Sequence, residues 1–286
     1  MSPSVEARAQ SAPAPAIDPQ TFARLARLVH DESGIVLSDS KKSLVVSRLS
    51  RRLRTLGIAD FPNYCQLVES NDGAEERREL IFLITTNVTR FFREDHHFEA
   101  LRTEVMPALA DRARNGGRVR FWSAGCSSGE EPYSIAITAL EAFPKAAQSD
   151  IRILATDLDG NMVEAGRRGI YAELDEAHLP AAIRSRHFQP VPDRPGAFAV
   201  TGPARDMITF AELNLLHDWP MKGPFDAIFC RNVVIYFDAQ TQQKLWTRFA
   251  ALLAPGGRLF VGHSERVTGP AAAQLAPSGI TQYRKH

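Results

Sequence analysis

Two adjacent carboxylates, Glu130 and Glu131, open a helical pattern directly behind the turn Gly125-Cys-Ser-Ser-Gly129, and a third, Asp157, ends a later apolar run. A strand that breaks at glycine and restarts as a helix holds ribose- or phosphate-bearing cofactors, because free N–H groups at the helix N-terminus point at the ligand. Here the glycines stand at GxxxG and not at the GxGxxG of dinucleotide sites, so a pyrophosphate clamp is incomplete. Carboxylates in that position repel phosphate and suit a cation. S-adenosylmethionine, which carries a sulfonium, an ammonium and no phosphate, meets the constraint. Asp157 is placed to accept hydrogen bonds from a ribose diol, a role NAD sites share, so the acidic turn carries the discrimination. A lone Glu in a first helical turn only offsets the macrodipole, by about 0.3–1 kcal/mol. The pair in a glycine-rich turn points further.

Upstream, TTNVTRFFREDHHF starts at Thr85 and suits a loop whose Thr, Asn and Arg side chains donate hydrogen bonds. His96 and His97 invite a metal reading. Neighbours on a helix point in different directions, and no cluster at ligand spacing accompanies them, so surface or capping roles are expected and no metal site. Cys65, Cys126 and Cys230 form no CxxC pair and read as buried small hydrophobes. Lys41, Lys42, Arg48, Arg51, Arg52 and Arg54 share one helix with no acidic residue among them. That helix is either a solvated face or a docking face for an acidic partner.

The elements that must carry these residues divide the 286-residue chain. Residues 1–17, rich in Ala, Pro and Ser, read as a disordered tail. A helical N-terminal domain is expected over 18–90, with Asp18 and Pro19 as N-cap and first residue of helix one. A linker helix follows over 91–117. From 118 to 286 short apolar strands alternate with helices, the pattern of a parallel sheet covered on both faces. Its expected strands are Val119–Ala124, Ile151–Thr156, Ile208–Leu213, Phe225–Cys230, Arg258–Gly262 after a Gly256-Gly257 helix stop, and a closing Ile280–Arg284. The turn-rich stretch 171–207 reads as an inserted helix plus a small hairpin. A net charge of +1 argues against whole-protein attraction to nucleic acid or membrane. No apolar run approaches the roughly 20 residues of a membrane span and no signal peptide opens the chain, so a cytoplasmic protein is expected.

SAGCSSGEEPYSIAI, ATDLD, FDAIFCRNVVIYFD and GGRLFVGHSE, with TTNVTRFFRE upstream, resemble the CheR chemotaxis receptor glutamate methyltransferases over residues 20–286. The resemblance implies an α/β class I S-adenosylmethionine-dependent methyltransferase, a Rossmann-like doubly wound sheet, with an all-helical N-terminal domain and a small inserted β subdomain that contacts the receptor. It implies methyl transfer to glutamate side chains on cytoplasmic chemoreceptor helices, leaving S-adenosylhomocysteine. Whether docking also uses a receptor tail peptide through the Phe188–Val200 hairpin stays open on the residues. Carried over by motif, Asn87, Thr89, Arg93, Gly125, Glu131, Asp157, Asn214, Leu215, Arg231 and Asn232 line the cofactor, and Arg93 and Tyr236 sit nearest the methyl. Arg93 would bring the helical domain in as a second wall. Cys126 departs from the small residues, such as alanine, also found in this turn, and places an oxidisable thiol near the cofactor. A glutamate carboxylate is already ionised at neutral pH, so transfer to it needs no general base. Two other readings stay open on the residues themselves: a class I methyltransferase for RNA or a small molecule, and a non-catalytic S-adenosylmethionine-binding adaptor.

Overall fold

The computed structural model describes residues 16–172, 174 and 179–286. The chain forms two compact units that divide between Thr86 and Asn87. Most of the expected N-terminal tail lies outside the described residues; Ile17, at its end, is buried.

The first unit holds four α-helices among its described residues. Helix α1 (Pro19–Ser33) starts as its sequence requires, with the Asp18 carboxylate accepting from Thr21 N, and ends at Gly34 with φ 72°. Helix α2 (Lys42–Leu56) ends at Gly57, α3 (Phe61–Glu69) is capped by Asp60, and α4 (Ala74–Ile84) follows. Leu25, Val29, Val45, Leu49, Phe61, Tyr64 and Leu80 are buried between them. Two cations of α2 are committed to this core. Arg52 forks onto Glu76, which also accepts from the Tyr64 hydroxyl at 2.8 Å. The Arg48 Nη1 donates to the carbonyls of Leu83, Ile84 and Thr85, closing the open end of α4.

The second unit begins at Asn87, ahead of the boundary expected at residue 90. The TTNVTRFFR segment from Asn87 onward, Arg93 included, therefore belongs to the sheet-bearing unit and is not a wall supplied by the helical one. The helix expected over 91–117 is α5 (His96–Ala100), a wide π turn over Leu101–Val105 and α6 (Met106–Arg114). Pro107 has no N–H to continue an α ladder, and the widened turn lies just before it. Then come β1 (Val119–Ala124), α7 (Glu130–Ala142), β2 (Ile151–Asp157), α8 (Gly160–Arg168), β3 (Ile170–Tyr171), α9 (Ala181–His187), β4 (Phe188–Pro190), β5 (Phe198–Val200) and α10 (Gly202–Asp206). After these follow β6 (Ile208–Glu212), β7 (Phe225–Cys230), α11 (Ala239–Leu252), β8 (Leu253–Val261), β9 (Leu275–Gly279) and β10 (Gln282–Lys285).

Seven strands form the main sheet in the order β6-β2-β1-β7-β8-β10-β9, parallel up to β8 and antiparallel beyond it. Every residue of β7 is buried, which explains its apolar run from Ala227 to Cys230, and the one charged residue, Asp226, is paired with Arg112. Phe121 and Trp122, consecutive on β1, enter the cores on opposite faces. A separate sheet, β3-β5-β4, makes the inserted subdomain. It adds a strand, β3, to the expected hairpin. Two further expectations are corrected. Gly256 and Gly257 lie inside β8, which starts directly at the end of α11. Ile280 sits in the turn of a β9–β10 hairpin and is 73% exposed, so the closing strand starts after it.

Candidate functional site

In an open parallel sheet ligands bind outside the carboxyl ends of the strands, near the point where strand order reverses. Strands β6, β2, β1 and β7 are neighbours, and their carboxyl ends lead to Asn214, Asp157, Gly125 and Arg231 in turn. The sheet therefore brings together four of the residues singled out by sequence, from segments spread over more than a hundred positions.

The glycine turn is folded tightly onto its neighbours. Gly125 has φ 84°, and a Cβ there would lie 2.3 Å from Val233 Cγ2, so the loops after β1 and β7 touch. Gly125 N and Cys126 N both donate to Thr156 O, at 2.8 and 2.9 Å. The half-buried Asp157 accepts Ser127 N at 2.7 Å and Asp159 N at 3.0 Å, and burial raises its pKa. Ser127 Oγ donates to Asn87 O at 2.9 Å, and Asn87 Nδ2 donates to Asp159 Oδ2 at 3.1 Å. The Asn87–Arg93 loop is thereby fastened to both loops of the turn. Within it, Arg93 Nη1 donates to Val88 O at 2.9 Å. Thr89 is half-buried.

Beside the turn runs a chain of alternating charge. Glu131, buried, accepts Ser123 Oγ at 2.7 Å on one oxygen and Arg231 Nη1 at 3.0 Å on the other. Burial raises its pKa against the opposing pull of Arg231 and Ser123. Arg231 also donates to Arg93 O, lies 3.4 Å from Glu94 Oε2 and stacks over Phe98. Glu94 accepts His263 Nδ1 at 3.0 Å. Glu130 is half-buried and accepts Ser128 Oγ. Asn214 folds its own loop by accepting Leu216 N at 2.9 Å, and Arg248 grips the carbonyl of the buried Leu215. Tyr236 is half-buried on the short turn Val234–Tyr236.

Backbone strain gathers here. Phe92, Glu94, Ser127 and Asn232 all take positive φ, between 49° and 58°, a conformation non-glycine residues rarely adopt. Such residues cluster at sites where geometry is over-determined. Glu94, Ser123, Ser127, Asp159 and Arg248 were not picked out by sequence. The pairings of Glu94 with His263, Ser127 with Asn87, Asp159 with Asn87 and Arg248 with Leu215 join residues more than thirty positions apart, which no local motif signals.

Two sequence expectations change. His97 is not at the surface: it is fully buried, with Nε2 2.8 Å from Thr281 Oγ1, and burial with the nearby Arg231 charge holds its pKa down to about 3. A carboxylate–histidine cluster of Glu94, His96 and His97 does exist, its ligand-capable atoms within 4.8 Å of one another. Arg231 already places a positive charge against that carboxylate. Cys126 is buried and its thiol pKa is pushed well up, first by burial and then by Asp157 and Glu131, so it is a poor thiolate and not an exposed redox centre.

The donor set fits a cationic ligand. Glu130, Glu131 and Asp157 surround the turn, and Arg231 is engaged by two carboxylates. Comparison with known proteins agrees. The family model described as CheR methyltransferase, SAM binding domain, matches residues 87–283, and the one described as CheR methyltransferase, all-alpha domain, matches residues 20–85. A "Probable chemotaxis protein methyltransferase" of Rhizobium etli is 51% identical over 258 residues, covering 90% of this chain and 96% of its own. The "Chemotaxis protein methyltransferase" of Escherichia coli is 44% identical over 247 residues, covering 85% and 83%. "Chemotaxis protein methyltransferase 2" of Pseudomonas aeruginosa is 40% identical over 252 residues, covering 86% of each chain.

Proposed function

The chain belongs to the CheR methyltransferase family, and from that premise we propose that it methylates glutamate side chains on the cytoplasmic helices of chemoreceptors, using S-adenosylmethionine and working in the cytoplasm. The observation that carries this reading is the match of both family domains along the chain, joined to the acidic strand-end site described above. When bound, S-adenosylmethionine supplies a methyl carbon on a positively charged sulfur, and the products are a glutamate methyl ester and S-adenosylhomocysteine.

The residues divide that work. Asp157 retains acceptor capacity for a ribose diol beyond its two backbone bonds. Glu130 and Glu131, in the first turn of α7, supply negative charge for an ammonium group, with Asn87, Thr89, Gly125, Asn214, Leu215, Arg231 and Asn232 completing the lining. Arg93 holds the incoming carboxylate, and the Tyr236 hydroxyl orients the methyl-bearing sulfur. No general base is required, because the acceptor is already an anion. Water stabilises separated charges that neutralise each other in the transition state, so the loops act by excluding it and by aligning the reacting groups. Among the described residues β4 is an edge strand of the inserted sheet, and a receptor tail peptide would add to that edge as a further strand.

The test offers methyl-labelled S-adenosylmethionine together with receptor-bearing membranes, RNA or a small-molecule extract. Base-labile label on receptor is the expected result; label on RNA or on a small product, or binding without transfer, would overturn the reading. Arg93→Ala is expected to lower turnover on the order of 10²-fold, with a smaller change in cofactor affinity.

A further inference from the structure

We propose that Glu265 is the positioning residue that locks the Asn232–Tyr236 loop of the methyl-transfer site into its working shape. Glu265 closes the GHSE segment directly after β8 and is 3% exposed. Its carboxylate accepts four backbone N–H groups. Oε1 takes Val233 N at 2.8 Å and Val234 N at 2.9 Å, while Oε2 takes Asn232 N at 2.9 Å and Gly262 N at 2.5 Å. Three of those donors are consecutive, on the loop that links Arg231, the first residue after β7, to Tyr236.

Such use of a carboxylate is specific. Three successive N–H groups converge on one anion only if the backbone curls around it, and the curl is visible at Asn232, with φ 58°. The two loops are pressed together. A Cβ on Gly262 would lie 2.5 Å from Asn232 Nδ2 and 2.8 Å from Glu265 Oε2, so glycine is the residue that lets the carboxylate reach the loop. A buried carboxylate is costly unless its oxygens are satisfied, and here the satisfying donors are the loop itself. Burial raises the Glu265 pKa, and the four backbone donors oppose that rise. The loop's shape and the charge of Glu265 thus depend on each other. Arg231 and Val233, on the same loop, reach Glu131 and Gly125 of the glycine turn. Fixing Asn232–Val234 therefore also sets the wall of the turn.

What the loop does rests on the methyltransferase reading; that Glu265 anchors it does not. The full chain carrying Glu265→Gln separates the two. Glutamine keeps one acceptor oxygen but turns an NH₂ toward two N–H donors. Hydrogen exchange at the Asn232, Val233, Val234 and Gly262 amides is expected to quicken at least about tenfold, and single-turnover methyl transfer at saturating S-adenosylmethionine to fall on the order of 10²-fold. Affinity for S-adenosylhomocysteine, read by calorimetry, is expected to change less than the transfer rate. Glu265→Asp, which keeps both oxygens on a shorter stem, is expected to fall between wild type and Glu265→Gln, and carries the test if the Gln variant does not fold. Leu140→Ala, buried near the far end of α7, controls for lost stability and is expected to keep its transfer rate below its own melting transition.

Unchanged amide exchange in Glu265→Gln would overturn the anchor. Quickened exchange with wild-type transfer would overturn the positioning role, as would an equal loss in Leu140→Ala. If the wild-type chain labels no receptor, the functional reading fails, while the exchange measurement still decides the anchor.

Discussion

Asp157 shows how one side chain can tie two loops together and keep acceptor capacity for a ligand. Its carboxylate ties Ser127 N to Asp159 N, and so links the turn after β1 to the loop after β2. Asp157→Asn keeps one acceptor oxygen and loses the charge. A charge-assisted hydrogen bond contributes about 1.5–3 kcal/mol, so affinity for S-adenosylhomocysteine is expected to fall about ten- to a hundredfold in calorimetry. His97 supplies a pH signature. Unfolded, its imidazole protonates at about 6.5; folded, burial and then the Arg231 charge hold it down to about 3. Between those values the unfolded chain binds the extra proton, so stability rises with pH across the window and is lost as pH falls through it. Glu94 adds a loss of the same sign on the acid side. Burial pushes its pKa up, but Arg231 and His263 pull it below the ordinary value. Urea unfolding at a series of pH values should show this slope, and His97→Gln should flatten it. Asp157, Gly125 and the glutamate pair were legible in the sequence because each sits at the break between an apolar run and a helix. The Glu131–Arg231–Glu94 chain was not, since Glu131 and Arg231 stand a hundred residues apart and meet only once β1 and β7 pair.

Helix ends explain which elements were readable and which were not. Asp18, Asp60 and Asp238 each cap a helix by accepting a backbone N–H three residues on, a local rule that sequence exposes directly. The far end of α4 follows another rule. Its final carbonyls are met by Arg48, from a helix more than thirty residues earlier, so that cation reads in sequence as part of a basic face. Arg48→Ala leaves those carbonyls without the guanidinium and is expected to cost about 1.5–3 kcal/mol in urea unfolding. Arg52 is likewise a core partner of Glu76. A docking face for an acidic partner then rests on the other cations of that segment, Lys41, Lys42, Arg51 and Arg54. The β8 to β10 region was the least legible. Gly256 and Gly257 resemble a helix stop but sit within a strand, and the β9 stretch LAPSG lacks strand-forming residues and pairs only because β10 lies beside it.

The molecule as a whole is two units, each matched by its own family model, and no described helix is long and apolar enough to cross a membrane. Fold class was readable from the alternation of strands and helices, whereas the place of division was not. TTNVTRFFR looks like the tail of the helical region, yet Asn87 and Phe92 hydrogen-bond to Asp159 and Ser134 of the sheet unit. If the strand-end site holds the cofactor, S-adenosylhomocysteine at about a hundred times its Kd should stabilise the native chain by about 2.7 kcal/mol. A melting curve unmoved by the ligand would count against the site. The most direct test is mass-spectrometric mapping of receptor cytoplasmic fragments after incubation with the enzyme and S-adenosylmethionine. Methyl groups on glutamate side chains, removed by alkali and formed on the order of 10²-fold more slowly with Arg93→Ala, are the expected result. A native, cofactor-binding enzyme that leaves every receptor glutamate unmodified would contradict it.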